Sequence, residues 1–375
     1  MKFCIVTHRV VIGDGQGRVN YEVAWEAIRR GHHVTLLASS VDMALQQHNQ
    51  VDWISIPVKK YPLQLVREIA FSTQSAWWLN KHQKEFDLIK LNGAITSARG
   101  DVNAVHFVHS SWLRSPVNLS EQQRSWRSTY QRFYTELNAD WEKKAFSQAK
   151  AIVAVSKQVE RELLEIGVPS ERIRVILNGV DLQEFSPGEA KRQTWGLPEG
   201  VTLALFAGNA QTPRKNLDTV LRALAQVPEL HLVVAGTTTG TTYPQLIASL
   251  DLSKRVHFLE HRSDVPELMK AVDFLVFPSR YETFGLVVLE AMATGIPVIT
   301  AATTGAAQLV TPECGFVLPD SDDTQALAEA MNQLVKCDRQ KRQQMGQVAR
   351  TIAEQHSWAN MASNYVNLFE ELQPC

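Results

Sequence analysis

The sequence predicts an α/β protein made of two doubly wound, parallel-sheet domains of the Rossmann-like type. Its length of 375 residues exceeds what one ordinary domain requires. Short apolar runs alternate with helical patterns along nearly all of it, as expected of βα units. Residues 183–200 break the alternation with three glycines, two prolines and several charges. We therefore expect two domains, joined by this linker and facing across a cleft.

The first domain is expected over residues 1–182. A helical pattern over residues 18–30 stops at Gly31, a usual C-terminal signal. Apolar runs predict buried strands over residues 3–6, 34–38, 87–91, 104–108, 151–155 and 173–177.

The second domain is expected over residues 201–357. Helices are predicted over residues 217–227 and 286–293. Apolar runs predict strands over residues 203–207, 230–235, 256–259, 274–277 and 297–300. The C-terminal segment, residues 358–375, holds a last helix that we expect to pack back on the first domain.

Composition excludes several classes of protein. A formal net charge of −1 disfavours a nucleic-acid binder, which usually carries a large basic excess. The four cysteines stand far apart, without disulfide or metal-ligand spacing, so we expect a reducing compartment, no disulfide framework and no zinc site. We separately expect no essential metal. No apolar stretch approaches the roughly 20 residues of a membrane span, and the N-terminus is unlike a signal peptide. These observations favour a cytoplasmic protein.

The segment of residues 278–298 holds the strongest pattern of candidate site residues. Glu282 lies in the loop after a predicted strand, and Glu290 lies in a helix expected to begin near Gly285. Free backbone N–H groups at such a helix start suit a phosphate, and carboxylates accept hydrogen bonds from sugar hydroxyls. The alternatives are a surface charge at Glu282 and a structural pairing of Glu290 with a core arginine.

A second loop, residues 208–216, follows the strand of residues 203–207. It begins with Gly208, carries Arg214 and Lys215, and ends at Asn216, which we expect to cap the next helix. Two cations at the carboxyl end of a strand suit a diphosphate. A solvated surface pair is the alternative.

Two further features follow strands of the first domain. Gly13, Gly15 and Gly17 precede a helix and allow backbone to approach a phosphate, but the dinucleotide spacing and its acidic residue are missing, so we disfavour NAD. His109, with His106 as second choice, stands at the carboxyl end of a strand and is a candidate catalytic group. A structural histidine is the alternative.

The segment from Glu282 to Val298 resembles the signature of the retaining glycosyltransferase family 4 (group 1), whose two-domain fold is called GT-B. Its members include lipopolysaccharide-core and other sugar-transferring enzymes. Two glutamates separated by seven residues and then a Gly-Xaa-Pro-Val strand match the family pattern in full. The resemblance implies an N-terminal acceptor domain and a C-terminal donor domain. It implies catalytic roles for His109, Glu282, Arg214 and Lys215.

The resemblance also implies a nucleotide diphosphate sugar as donor, UDP- or GDP-linked, as a substrate and not a cofactor. Glu282 would contact the sugar, Glu290 the ribose, and the Arg-Lys pair the diphosphate. The donor-binding residues would be Gly15, Gly17, Gly208, Arg214, Lys215, His261, Arg262, Glu282, Thr283, Phe284, Gly285, Leu286, Val287 and Glu290. Family members often carry Gly-Gly and then Glu after the Pro-Val strand, whereas this chain has residues 303–308 without that pattern.

Residues 112–144 interleave basic and aromatic side chains. Part of this segment could form an amphipathic helix on the inner face of an anionic membrane, which a lipid-linked acceptor would suit. Acidic residues offset much of the charge, and we favour an ordinary surface helix that packs its aromatic side chains inward.

The sequence thus favours transfer of a hexosyl group to a hydroxyl of a glycan, glycolipid or small-molecule acceptor. A nucleotide-sugar epimerase or hydrolase on the same fold is the nearest alternative. A non-catalytic nucleotide-sugar binding protein has less need of the two glutamates, the two cations and the histidine together.

Overall fold

The computed structural model describes residues 1–115, 117–118 and 126–373. The chain divides into two compact units, one formed by Met1–Gly179 with Trp358–Cys375 and the other by Val180–Ser357. The first division therefore falls three residues before the expected end of the first domain. Residues 183–200, expected as a linker, belong to the second unit.

A seven-stranded parallel sheet forms the centre of the first unit. Its strands are β1 (Lys2–Val10), β2 (His33–Val41), β3 (Val51–Ser55), β4 (Leu88–Asn92), β5 (Val102–Val105), β6 (Ala151–Ala154) and β7 (Ile173–Val175). They lie in the order β3-β2-β1-β4-β5-β6-β7. The order reverses between β1 and β4, and at such a reversal the loops after the carboxyl ends of the strands diverge and leave room for a ligand.

Six helices connect these strands. They are α1 (Gly15–Arg29), α2 (Met43–Gln46), α3 (Gln64–His82), α4 (His109–Arg114), α5 (Trp126–Gln148) and α6 (Lys157–Glu165). Helix α1 begins where Asp14 caps it, and it buries an apolar face that includes Val19, Val23 and Ala27.

The second unit repeats the plan with a six-stranded parallel sheet. Its strands are β8 (Thr202–Ala207), β9 (Leu230–Ala235), β10 (Val256–Phe258), β11 (Phe274–Phe277), β12 (Val298–Ala301) and β13 (Gly315–Leu318). Its helices are α7 (Leu217–Leu224), α8 (Tyr243–Ser249), α9 (Val265–Met269), α10 (Leu286–Thr294), α11 (Thr324–Lys336) and α12 (Arg339–Glu354). The order β10-β9-β8-β11-β12-β13 reverses between β8 and β11.

The last helix, α13 (Trp358–Glu371), belongs to the first unit and packs along α1. Tyr365 and Phe369 are fully buried there, and the Phe369 ring lies 5.3 Å from that of Phe3. Arg30 at the end of α1 donates to Ser363 Oγ at 2.7 Å and to Glu370 at 2.9 Å. Apolar burial and polar contacts together hold α13 in place.

The two-sheet α/β prediction is confirmed, with differences at particular elements. Strands β3 and β13 were not predicted; both are short, and both stand at an edge of their sheet. The strand expected over residues 104–108 ends at Val105, so His106 and His109 lie in the loop and helix that follow. In the described part of the chain, none of the helices is long and apolar enough to cross a membrane.

Candidate active site

Two loops of the second unit bring Arg214, Lys215 and Glu282 together. Lys215 Nζ lies 2.5 Å from Glu282 Oε2, and Arg214 Nη1 lies 3.5 Å from the same oxygen. The three side chains are only 28%, 16% and 15% exposed, respectively, so water screens them poorly. Two cations share one carboxylate, and the cluster therefore keeps a positive charge next to a hydrogen-bond acceptor.

Asn216 ties these two loops to each other. Its backbone is left-handed, with φ of 66°, and its buried side-chain amide donates to Pro278 O at 2.9 Å and Ser321 O at 2.6 Å. The Arg280 N–H donates to Arg214 O at 2.9 Å. Asn216 is the N-cap residue of α7, as expected, but its side chain makes no capping hydrogen bond, and its Oδ1 has no partner among the described residues.

Arg280, which was not predicted as a site residue, forms ion pairs with two aspartates next to these loops. Its guanidinium lies 2.8 Å from Asp218 and 2.7 Å from Asp322. Asp322 belongs to the triplet Asp320-Ser321-Asp322, a spacing that can bind a metal in other proteins, but here it accepts from arginine. Among the described residues, no three His, Cys, Asp or Glu side chains are grouped so that they could hold a metal ion.

Gly285 sets the start of α10. Its φ is +88°, and a Cβ there would lie 2.8 Å from Thr304 Cγ2, so any side chain would be strained and crowded. No side chain caps this helix start. The neighbouring Glu282 N–H donates to Thr303 O at 3.0 Å, and Gly305 N–H donates to Glu282 O at 2.8 Å. The loop is thus fixed against residues 303–305, where the chain departs from the family pattern.

Glu290 lies within α10 and is half-buried. Its carboxylate makes no hydrogen bond or ion pair with the described residues, so the structural pairing with an arginine is absent there. Burial and the nearby Glu184 raise its pKa to about 7. An unpaired, partly buried carboxyl group is costly for folding alone and marks a candidate binding group.

Other predicted donor residues lie near these loops or beyond them. Gly208 follows β8, and a Cβ there would lie 3.8 Å from the Lys215 side chain. Thr283 and Phe284 stand between Glu282 and the α10 start, and Leu286 and Val287 open that helix. Arg262 pairs with Asp264 at 2.6 Å, next to His261.

In the first unit, Glu142 of α5 holds His109 at the start of α4. Glu142 Oε2 accepts from the His109 backbone N–H at 2.8 Å, and Oε1 lies 2.5 Å from His109 Nδ1. The Glu142 side chain is 2% exposed. These contacts assign the proton to Nδ1 and leave Nε2 for other partners. Sequence reasoning missed Glu142, which is 33 residues from its partner.

A cavity of about 180 Å³ lies beside His109 in the first unit. His8, which follows the buried part of β1, and His106, which follows β5, both line it. Burial and Arg9 lower the pKa of His8 to about 4, while burial and Lys90 lower that of His106 to about 3. Both rings are therefore neutral near pH 7. His106 Nε2 is buried and has no hydrogen-bond partner in the described structure.

In the glycine loop of the first unit, the Asp14 carboxylate already accepts a backbone hydrogen bond. Gly13 has φ of +87°, and α1 begins at Gly15. Asp14 caps the helix by accepting from the Gly17 N–H at 2.7 Å. A carboxylate therefore stands where the sequence pattern suggested a phosphate.

The segment of residues 112–144 is only partly described. Residues 116 and 119–125, including Arg124 and Glu121, lie outside the described residues. Along α5 the side chains of Ser128, Thr135, Asn138, Glu142 and Phe146 are buried. One face of this helix therefore packs inward, while Phe133 is 54% exposed.

Two family models match the chain almost from end to end. One, described as Glycosyltransferase Family 4, matches residues 13–184, and the other, Glycosyl transferases group 1, matches residues 188–352. A D-inositol 3-phosphate glycosyltransferase of Corynebacterium urealyticum is 28% identical over 338 residues, which is 84% of this chain and 77% of the relative.

Solved structures share the fold. Sucrose-phosphate synthase from Thermosynechococcus elongatus aligns with a TM-score of 0.76 at 21% identity, covering 99% of this chain and 98% of that one. HepE from Anabaena, in complex with UDP and glucose, aligns with a TM-score of 0.70 at 22% identity over 99% of each chain.

Sheet order, paired loops and family matches together define a GT-B enzyme that transfers sugars. The chain belongs to the group 1 glycosyltransferases of family 4, as the spacing of Glu282 and Glu290 predicted.

Replacing Glu142 by Ala should disorder His109. The change leaves two buried donors of His109 unpaired, so the free energy of unfolding should fall by about 1–3 kcal/mol. We expect sugar transfer to fall at least tenfold, with nucleoside diphosphate binding unchanged. Glu136→Ala, on an exposed face of the same helix, is the control for thermal unfolding and initial rates. Equal rates in the two variants would contradict the role of Glu142.

The Glu290 carboxyl should make stability depend on pH. Its pKa is about 7 in the folded chain and ordinarily about 4.5, so the folded state binds more protons between these values. Stability should therefore fall as pH rises through this window, by at most about 3 kcal/mol. Calorimetry from about pH 5 to pH 8 should show a smaller decline for Glu290→Gln. The exposed Glu329→Gln is the control, and parallel curves for all three proteins would refute the assignment.

Proposed function

We propose that this glycosyltransferase moves a hexosyl group from a nucleotide diphosphate sugar to an acceptor hydroxyl, with retention of anomeric configuration. The observation that carries the proposal is the cluster of Arg214, Lys215 and Glu282. It combines a positive charge, suited to a diphosphate, with a carboxylate, suited to sugar hydroxyls, within 3.5 Å.

The cluster suggests how each group acts. As the bond between sugar and diphosphate breaks, negative charge grows on the leaving phosphate oxygens, and Arg214 and Lys215 stabilise it. Glu282, released from the cations by the arriving diphosphate, orients the sugar. The unpaired Glu290 accepts hydrogen bonds from the ribose. The loop links through Asn216 keep the cations and the carboxylate in register before the donor arrives.

The acceptor side belongs to the first unit in this proposal. His109, fixed by Glu142, directs Nε2 at the sugar, and the acceptor hydroxyl attacks on the face that the diphosphate leaves. The attacking oxygen bonds to the anomeric carbon, the bond from that carbon to the phosphate oxygen breaks, and the hydroxyl proton passes to the leaving phosphate. The relative HepE, in complex with UDP and glucose, supports the choice of donor class.

A nucleotide-sugar hydrolase or epimerase remains the competing hypothesis, and product analysis separates it. A hydrolase releases free sugar at the same rate with or without acceptor, and an epimerase changes the donor without releasing a nucleotide.

Thermal unfolding with UDP, GDP, ADP and NAD tests the donor site. One nucleoside diphosphate at one hundred times its dissociation constant should stabilise the protein by about 2.7 kcal/mol. The shift should be lost in Glu290→Ala, because the ribose loses its acceptor. Lys215→Ala should lower the rate of transfer about 100-fold, while Lys254→Ala, an exposed lysine of the same unit, should match wild type. A shift with NAD alone would refute the proposal.

We also propose that no metal ion is essential, since arginine and lysine supply the charge beside the diphosphate. Transfer should keep its rate after dialysis against EDTA. If EDTA abolished transfer and Mg²⁺ or Mn²⁺ restored it, this part of the proposal would be wrong.

Peripheral membrane contact through residues 112–144, with a lipid-linked acceptor, is a separate proposal. The exposed Phe133 favours it, and the buried face of α5 disfavours it. Flotation with vesicles of anionic lipid measures the contact. Binding that Phe133→Ser removes would support it, and protein left at the bottom of the gradient would end it.

A further inference from the structure

The cavity beside His109 is lined by two glutamates and three histidines. It is lined by groups from the carboxyl ends of β1, β4 and β5 and from helices α1, α3, α4 and α5. The side chains that line it and can form hydrogen bonds are His8, Gln16, Glu68, Asn92, His106, His109, Tyr134, Asn138, Trp141 and Glu142. No lysine or arginine is among the described residues that line it.

Its two carboxylates are held in place by hydrogen bonds. Glu68 accepts hydrogen bonds from the Tyr134 hydroxyl and, at 3.1 Å, from Gln64. Glu142 is fixed by His109. Of the three imidazoles that line the cavity, His8 and His106 stay neutral near pH 7 because they are buried, and His109 is bonded to Glu142. A phosphate group in this cavity would face two carboxylates and no lysine or arginine of the described lining.

The basic side chains near the cavity do not line it. Lys90 lies fully buried behind Asn92 and donates to Asn20 at 2.6 Å and to Asn92 at 3.0 Å. Arg9 is mostly exposed and reaches Asp14 at 3.5 Å. Lys144 lines a separate neighbouring cavity, with Trp141 contributing to both.

The same walls suit a ring that carries hydroxyl groups. Hydroxyls both donate and accept, and the side chains of Glu68 and Gln16, which line the cavity, offer acceptors and a donor. Trp141, Tyr134 and Phe107 provide aromatic surface against which the apolar face of a ring can pack. At about 180 Å³ the cavity is smaller than a typical drug-sized site, roughly 300–1,000 Å³, and matches one ring.

We propose that this cavity binds the accepting ring of an uncharged, hydroxyl-rich acceptor, a sugar or a cyclitol, and rejects its phosphomonoester. The assignment of the cavity to the acceptor rests on the proposed function. This acceptor specificity would distinguish the chain from the relative whose name gives D-inositol 3-phosphate as the substrate. Glu68 is the residue that sets the discrimination, since Glu142 uses both of its oxygens on His109, whereas Tyr134 and Gln64 both bond to Glu68 Oε1.

The test measures binding of rings to the protein saturated with the nucleoside diphosphate that stabilises it. Glucose, myo-inositol and the phosphomonoester of each are titrated at equal ionic strength by calorimetry. We expect at least one neutral ring to bind at least tenfold more tightly than its own phosphomonoester. Glu68→Gln should reduce that ratio at least threefold, whereas the exposed Glu85→Gln should leave it unchanged.

Tighter binding of a phosphomonoester would overturn the proposal, and loss of that binding in Lys144→Ala would place the phosphate in the neighbouring cavity. Binding of a nucleoside diphosphate with no binding of either ring type would also overturn it, while leaving the donor site intact. Ring binding without any nucleoside diphosphate binding would instead refute the donor proposal alone, so the two failures are distinguishable.

Discussion

The buried amide of Asn216 is the contact on which the cluster of Arg214, Lys215 and Glu282 depends. It stands where the loops after β8, β11 and β13 meet, and it donates to Pro278 O and Ser321 O at once. Lys215 and Arg214 precede it directly, and Glu282 lies in the loop after β11. Without this junction the cations would be two mobile surface charges, and ion pairs of that kind contribute little. With it, they face one carboxylate in a partly desolvated place.

The shared carboxylate also lowers the cost of holding two cations side by side. Two adjacent cations repel each other, and Glu282 relieves that repulsion. In the proposed mechanism a diphosphate would take over the cations and release the carboxylate toward the sugar, so that one acid would be used twice.

The sequence predicted well what depends on local pattern. Buried strands show as apolar runs, and the two glutamates lie on either side of the α10 start, so fold and donor loops could be inferred together. Strands β3 and β13 were missed, although the edge strands β7 and β10 were predicted, because Asp52 interrupts the apolar residues of β3 and β13 begins at Gly315. Glu142 and Arg280 were missed for another reason. Their partners lie between 33 and 62 residues away in the chain, and charged residues in a helix or loop are normally solvated.

Helix α13 has a consequence for the order in which the molecule is made. The first unit needs Tyr365 and Phe369 to cover Phe3 and α1, yet these residues follow the whole second unit in the chain. During synthesis the second unit can be complete while the first still exposes an apolar strip along α1. Such a strip is a site for chaperones or for aggregation. The first unit thus becomes fully folded only after α13 has left the ribosome, and a chain that stops before α13 leaves this unit unfinished.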